Sequence, residues 1–151
     1  MSADKKIEEI LEQEGIYVST TSGVSMEPML RDRRDTIVVS PVSERLRKYD
    51  VALYKRHDGY VLHRVVRVLP DSYVICGDNC VALEKGITDG QILGRLDHFY
   101  RKGKKISLDS LSYRAYCRYI VWTYYPRVAF RRAKAVAVAV FRKVFGRKRR
   151  L

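Results

Sequence analysis

Residues 60–69 read Tyr-Val-Leu-His-Arg-Val-Val-Arg-Val-Leu, and this β-branched, aromatic run predicts a long β-strand. Because side chains alternate across a strand, Val61, His63 and Val65 share one face and Arg64 lies on the other. A histidine among apolar neighbours is most often a half-buried residue satisfied by the backbone. His63 alone therefore does not indicate a functional site.

Shorter β-prone runs flank this strand on both sides, separated by turn residues. Asp58-Gly59 directly before it is a hairpin signal. The other candidate strands are residues 16–20, 36–40, 50–54, 73–76 and 91–100. Residues 5–14 read as a short helix and 86–89 as a loop. The pattern predicts a mainly β fold, an antiparallel β sandwich or a partly closed barrel.

Ser25 is the centre of residues 21–30, Thr-Ser-Gly-Val-Ser-Met-Glu-Pro-Met-Leu, which we expect to form a turn or a single helical turn. Gly23 permits a tight or left-handed backbone before the serine, and Pro28 fixes φ after it. A serine on a constrained turn, with free backbone amides nearby, is how a fold presents a nucleophile beside an oxyanion hole. Ser-x-x-x is also an ordinary helix cap, so the decapeptide alone leaves both interpretations open.

Asp78, between Gly77 and Asn79 at a strand end, completes a set that fits acyl transfer when it is combined with Ser25 and His63. A serine hydroxyl needs an adjacent base to become a nucleophile. A neutral imidazole, with a pKa near ~6.5, can accept that proton at neutral pH. A carboxylate on the far ring nitrogen fixes the tautomer and stabilises the imidazolium.

These residues belong to an ordered series of short motifs. The series is Ser22-Gly-Val-Ser25-Met-Glu-Pro, Lys48-Tyr-Asp50-Val, His63-Arg-Val-Val, Gly77-Asp78-Asn79 and Ile92-Leu-Gly-Arg. Across residues 16–100 it resembles the box pattern of the signal peptidase I superfamily, which also includes the LexA-like self-cleaving proteases. The resemblance implies a β-rich catalytic core and a serine endopeptidase that cleaves a peptide or protein precursor. It implies neither a metal nor an organic cofactor.

The resemblance also implies a role for each matching residue. Ser25 takes the nucleophile position, and its amide is expected in the oxyanion hole. The base is a lysine in most bacterial signal peptidases and LexA-like proteins. This chain has His63, followed by Arg64, at the base position, and in this it is similar to the endoplasmic-reticulum and archaeal type, whose base is a histidine. Asp78 takes the supporting position, directly or through a neighbour. That type has a second aspartate about six residues later, where this chain has Glu84, whose role stays open.

Charge divides the chain into two parts. Its net charge is +13, yet residues 101–151 contain 16 Lys and Arg against one acid, and residues 1–100 contain 14 against 16. We therefore expect a near-neutral peptidase core over residues 1–105 and a basic helical appendage over 106–151. Asymmetry of this kind points to an anionic partner.

The appendage reads as two helices. Residues 108–125 are rich in Tyr and Trp and are expected to end at Pro126, and 127–145 form an amphipathic helix before the basic residues 147–150. The apolar face of the second helix consists of Phe130, Ala133, Ala137, Val140 and Val144. Residues 108–151 fit peripheral contact with an anionic membrane surface, and they equally fit packing on the core or dimerisation. Nucleic acid ranks behind these, because neither an aromatic-basic β platform nor a groove-reading helix is apparent.

The three cysteines, Cys76, Cys80 and Cys117, read as reduced thiols, and their spacing does not favour zinc. With no export signal or apolar span visible, we expect a cytoplasmic protein that can contact the inner membrane face. The alternative function is a non-catalytic β-domain regulator that binds membrane or nucleic acid through its basic tail. A self-cleaving protease is a third option, and the sequence leaves the oligomeric state open.

Overall fold

The computed structural model describes residues 6–57 and 59–145, with side chains as far as Lys143. Within these residues an eight-stranded antiparallel sheet carries a short helix before it and two helices after it. The strands are β1 Tyr17–Thr20, β2 Asp35–Ser40, β3 Val51–Arg56, β4 Gly59–Val68, β5 Tyr73–Cys76, β6 Glu84–Ile87, β7 Ile92–Arg101 and β8 Lys104–Ser107. The helices are α1 Ile7–Glu14, α2 Leu111–Trp122 and α3 Tyr124–Phe145, with a 3₁₀ turn at Asp89–Gln91.

The sheet is open, with strand order β1-β2-β7-β3-β4-β5-β6. β7 is long enough to pair with β3 through its first residues and with β8 through its last, while β2 runs along its other side. The expectation of a mainly β fold, a sandwich or partly closed barrel with a helical appendage, is confirmed at this level.

Strand β3 shows how both faces of the sheet become buried. Its first four residues are all buried, which is the pattern of a strand covered on both sides. Val51 and Leu53 belong to one apolar cluster, which includes α1, the Ser25 turn and part of β7. Ala52 and Tyr54 belong to a second cluster with β4 and β5. Val61 and Val65 pack in this second cluster, on the face expected to carry His63.

Several predicted strands appear within one or two residues of their expected bounds. The hairpin is confirmed, since β3 ends at Arg56 and β4 begins at Gly59. His57 in this turn adopts a positive φ of 49°, a conformation that tight turns require.

Two short strands were not expected. β6 overlaps the predicted loop at 86–89, which is therefore wrong for Gly86 and Ile87. β8 crosses the proposed division at residue 105. Both strands are four residues long and contain Lys, so composition favours a loop; each forms because an already buried neighbour, β5 or β7, offers an unpaired edge.

The break between the two helices of the appendage lies about one helical turn earlier in the chain than expected. α2 begins after Ser110, whose side chain accepts a hydrogen bond from the Tyr113 amide, and it ends at Trp122. Pro126 lies in the first turn of α3 instead of breaking the helix, because the N–H that proline lacks has no helical partner at that position. The basic residues 147–150 lie outside the described residues. None of the helices described is both long and apolar enough to cross a bilayer.

Candidate active site

The Ser25 turn is held by polar contacts from the loop that follows it. Residues 25–29 form turns and not a helix, so the helix-cap interpretation does not apply. Gly23 has a φ of 89°, and its amide donates to Asp32 Oδ1 at 2.7 Å. The Thr21 hydroxyl lies 2.5 Å from the carbonyl oxygen of Arg31. These bonds fix the backbone that leads into Ser25.

His63 is almost fully buried, with 6% of its surface exposed. Its Nδ1 lies 3.0 Å from Oε1 of Glu84 and 3.3 Å from the hydroxyl of Tyr54. An ionised carboxylate can only accept, so Nδ1 carries the proton and Nε2 the lone pair when the imidazole is neutral. Glu84, on the unexpected strand β6, therefore fixes the tautomer that a general base at Nε2 requires.

The electrostatics favour a neutral imidazole beside an ionised carboxylate. Burial lowers the pKa of His63 below its ordinary value, and the attraction of Glu84 offsets this only in part. Partial burial raises the pKa of Glu84, but hydrogen bonds from Tyr54 and Arg56 and the charge of His63 outweigh it, so the pKa is lowered. Arg56 Nη1 lies 3.1 Å from Glu84 Oε2.

Gly77 is the point where the Ser25 turn and His63 converge. A Cβ at this position would lie 2.6 Å from the backbone oxygen of Ser25 and 3.0 Å from Nε2 of His63. Both distances are shorter than van der Waals contact, so only glycine allows this approach. The backbone of Ser25 and the unprotonated nitrogen of His63 are therefore close neighbours.

Asn79 ties the same loop to the Ser25 turn. Its amide donates to the Ser25 carbonyl at 2.8 Å, and its side chain donates to the Val24 carbonyl at 3.1 Å. Among the described residues the Ser25 hydroxyl makes no hydrogen bond with His63. Catalytic hydrogen bonds are often formed only once substrate is bound, so this geometry is compatible with a serine–histidine pair.

Asp78 makes no hydrogen bond to the imidazole of His63. Its two oxygens accept from Nε and Nη2 of Arg64 at 2.8 and 2.7 Å, and the Tyr116 hydroxyl donates to it at 2.9 Å. Arg64 and Asp78 are both buried, with side-chain exposures of 0% and 1%. The structure therefore brings Ser25 and His63 together, and it places Asp78 in an ion pair on the opposite face of β4. Burial alone lowers the pKa of Arg64, but the pair with Asp78 outweighs it and the pKa is raised.

A cleft of about 540 Å³ opens over these groups. It lies between the two ends of the open sheet, since it is lined by β1 on one side and by β4 and Glu84 of β6 on the other. Ser25 and His63 both line it. Its apolar walls include Ile7, Met26, Leu53 and Leu62. These apolar walls suit a ligand with apolar side chains.

Sequence reasoning missed Glu84 and Tyr54 as partners of His63, and Arg64 as the partner of Asp78. The position of Glu84, six residues after Asp78, was the one signal available for it. Cys80 lines the cleft, and Cys76 and Cys117 are buried; all three are free thiols. In the described part of the chain, no cluster of three or more His, Cys, Asp or Glu is arranged to hold a metal.

A comparison with models of protein families found none that matches this chain. A search of curated proteins likewise found no matching relative. Function is therefore inferred from the geometry of the site and from the motif series in the sequence.

Proposed function

We propose that this protein is a serine endopeptidase in which Ser25 is the nucleophile, His63 the general base and Glu84 the residue that orients the base. The proposal rests on the position and hydrogen bonding of the His63 imidazole. His63 Nδ1 is held by a carboxylate, and Nε2 faces the turn that bears Ser25. A buried, neutral, tautomerically fixed imidazole beside a serine is the arrangement that activates a hydroxyl.

The proposed reaction proceeds in two halves. His63 Nε2 takes the proton of the Ser25 hydroxyl as its oxygen attacks the scissile carbonyl. The Ser25 amide, which makes no hydrogen bond to another described residue, is the proposed donor to the developing oxyanion. His63 then returns the proton to the leaving amine, which departs and leaves an acyl-enzyme. Water, deprotonated by His63, hydrolyses the ester and restores the Ser25 hydroxyl.

The cleft supports an extended peptide as substrate. β1 pairs with β2 along one side, and the residues of its C-terminal half also line the cleft. An extended peptide adding to the edge of β1 would gain backbone hydrogen bonds and place alternate side chains against the cleft walls. Substrates are therefore peptides or protein precursors with apolar side chains near the cleaved bond.

In this proposal Asp78 acts through the fold and not on the imidazole. Asp78 lies between Gly77 and Asn79, which both approach the Ser25 carbonyl. Its ion pair with Arg64 anchors this loop to β4. The ion pair thereby helps to hold the loop in the position from which Gly77 and Asn79 approach the Ser25 backbone. Glu84 takes the orienting role that the motif resemblance assigned to Asp78.

The test uses purified full-length protein and a library of peptides from digested cell extract, with cleavage read by mass spectrometry. We expect new termini with the wild type and none with Ser25→Ala or His63→Ala. Ser22→Ala, which removes a neighbouring hydroxyl lining the same cleft, is the matched control and should cleave as the wild type does. Cleavage that survives Ser25→Ala would show that Ser25 is not the nucleophile.

A further inference from the structure

Within the described residues, the hydrogen bonds that attach helix α3 to the body of the protein lie near the start of the helix. The Tyr124 hydroxyl donates to the Val81 carbonyl at 2.6 Å, and Arg127 donates to the Asp78 carbonyl at 2.8 Å. Arg131 binds the carbonyl and the side-chain oxygen of Asn79 at 2.7 and 2.6 Å. Residues 132–143 are all exposed. At 1.5 Å per residue, this exposed part of the helix extends for roughly 18 Å beyond its attachment.

The exposed part has one continuous apolar side. Phe130, Ala133, Ala137 and Val140 recur at helical spacing, and Val136 lies beside them. At 3.6 residues per turn, the apolar arc from Val136 to Phe130 covers roughly 120° of the circumference. Phe130, Val136 and Val140 are 71%, 63% and 55% exposed. Packing on the β core, one of the arrangements expected from sequence, is therefore not adopted by this part of the helix.

The charged residues of α3 all lie outside this arc, and all of them are basic. Residues 124–143 contain six cations and no acid. Lys134 borders one margin of the apolar arc, and Arg132 and Lys143 border the other. Arg127 and Arg131 form hydrogen bonds with the body of the protein. The cations that remain for an anionic partner are Arg132, Lys134, Arg142 and Lys143. Cations on both margins of an apolar arc are typical of helices that lie in a bilayer interface.

The junction of α2 and α3 adds a second feature of the same kind. Trp122 is 70% exposed, and Tyr119 and Tyr125 are also exposed. Trp and Tyr side chains favour the level of lipid headgroups, since each combines an apolar ring with a polar atom. The apolar arc and the exposed aromatics therefore both fit the boundary between lipid and water.

Other partners would match either the apolar arc of α3 or its cations, but not both. A second copy of the chain would cover the apolar arc but would bring the bordering cations of two helices together. A nucleic acid would neutralise the cations but would leave Phe130, Val136 and Val140 in water. An anionic bilayer satisfies both, because its acyl chains cover the arc and its headgroups meet the cations.

We propose that α3 is a membrane-docking helix that lies in the interface of an anionic lipid bilayer, with its apolar arc toward the acyl chains. Arg131 binds Asn79, and Asn79 binds the Ser25 carbonyl, so the docked helix begins beside the cleft. If the function proposed above is correct, docking brings the peptidase site to substrates at the membrane surface. The docking itself does not depend on that function.

The test is flotation of the full-length protein with vesicles of phosphatidylcholine alone or of phosphatidylcholine and phosphatidylglycerol in equal parts. We expect binding to the mixed vesicles that is at least about tenfold stronger than to the neutral ones and that weakens with added salt. Val136→Gln/Val140→Gln should lower binding by at least about tenfold. Ala135→Gln/Ala139→Gln places the same side chains on the opposite side of the same helix and should bind as the wild type does.

Three results would overturn the proposal. One is no binding of the wild type to anionic vesicles, and another is an equal loss in the two double variants. The third is a dimer in the absence of lipid that becomes a monomer in Val136→Gln/Val140→Gln, which would make the arc a dimer interface. Ser25→Ala should bind vesicles unchanged, so a failure of the peptidase proposal is distinguishable from a failure of this one.

Discussion

Nδ1 of His63 lies 3.0 Å from Oε1 of Glu84, and this contact crosses from β4 to the edge strand β6. The carboxylate reaches the ring because β4, β5 and β6 are consecutive in the sheet. The pair leaves Nε2 facing Gly77 and the Ser25 turn. Glu84, and not Asp78, is thus the carboxylate that fixes the imidazole.

Replacing Glu84 by glutamine should lower activity far more than stability. Glutamine keeps the size of the side chain but not the charge that fixes the tautomer and stabilises the imidazolium. We expect kcat/KM to fall by about 10²- to 10⁴-fold. The measurement is cleavage of a substrate peptide, with denaturant unfolding of the same variant as the control. Wild-type activity in Glu84→Gln would remove Glu84 from the proposed mechanism.

The pH dependence of kcat/KM should report the neutral form of His63. Burial lowers the pKa of His63, so the base form persists below the ordinary value of about 6.5, and activity should fall only at more acid pH. Glu84 favours the protonated ring, so Glu84→Gln should move the acid limb to still lower pH while it reduces the maximal rate. An acid limb that moves upward in this variant would contradict the assignment.

Asp78→Asn should act mainly on stability. The change leaves the guanidinium of Arg64 buried without its counter-charge, which costs about 3–5 kcal/mol of unfolding free energy. Glu44→Gln is the matched control, because its pair with Arg47 is exposed and is worth at most about 1 kcal/mol. Denaturant unfolding measures both. If Asp78→Asn is as stable as the wild type but inactive, Asp78 acts in catalysis, as the motif resemblance implies.

Gly77→Ala should damage the site through steric overlap. The added methyl would lie 2.6 Å from a backbone oxygen of the Ser25 turn, so the turn itself must shift. We expect a loss of about 1–3 kcal/mol in unfolding free energy. A displacement of Ser25 by about 1 Å would lower kcat/KM by about 10²-fold.

Gly90→Ala provides the comparison for this variant, because a Cβ at Gly90 meets nothing within 4 Å. It should match the wild type in both unfolding and cleavage. Full activity in Gly77→Ala would mean that the close approach at Gly77 has no part in positioning the nucleophile.

Local patterns predicted the parts of the fold that local physics determines. The strand around His63, its hairpin and the strand at 73–76 follow from β-branched runs between turn residues, and the structure contains all three. β6 was missed because Glu84, Lys85 and Gly86 have low strand propensity, and only pairing with β5 makes them a strand.

The partners of the candidate site are the part that sequence could not provide. Arg64 follows His63 in the chain, yet its alternation to the other face makes it the partner of Asp78. Tyr54 reaches His63 because β3 and β4 pair in register, with Ala52 opposite His63. Such contacts depend on which strands pair and in which register, and local propensity does not determine either.

The most direct test of the peptidase assignment is a map of protein N-termini across the proteome of the native host. Cells with the wild type are compared with cells that carry Ser25→Ala at matched expression, in separate soluble and membrane fractions. We expect N-termini that are present only with Ser25 and that begin directly after a cleaved bond in an extended, apolar stretch. If the two maps are identical under several growth conditions, the peptidase assignment is contradicted, and a non-catalytic binding role becomes the better account.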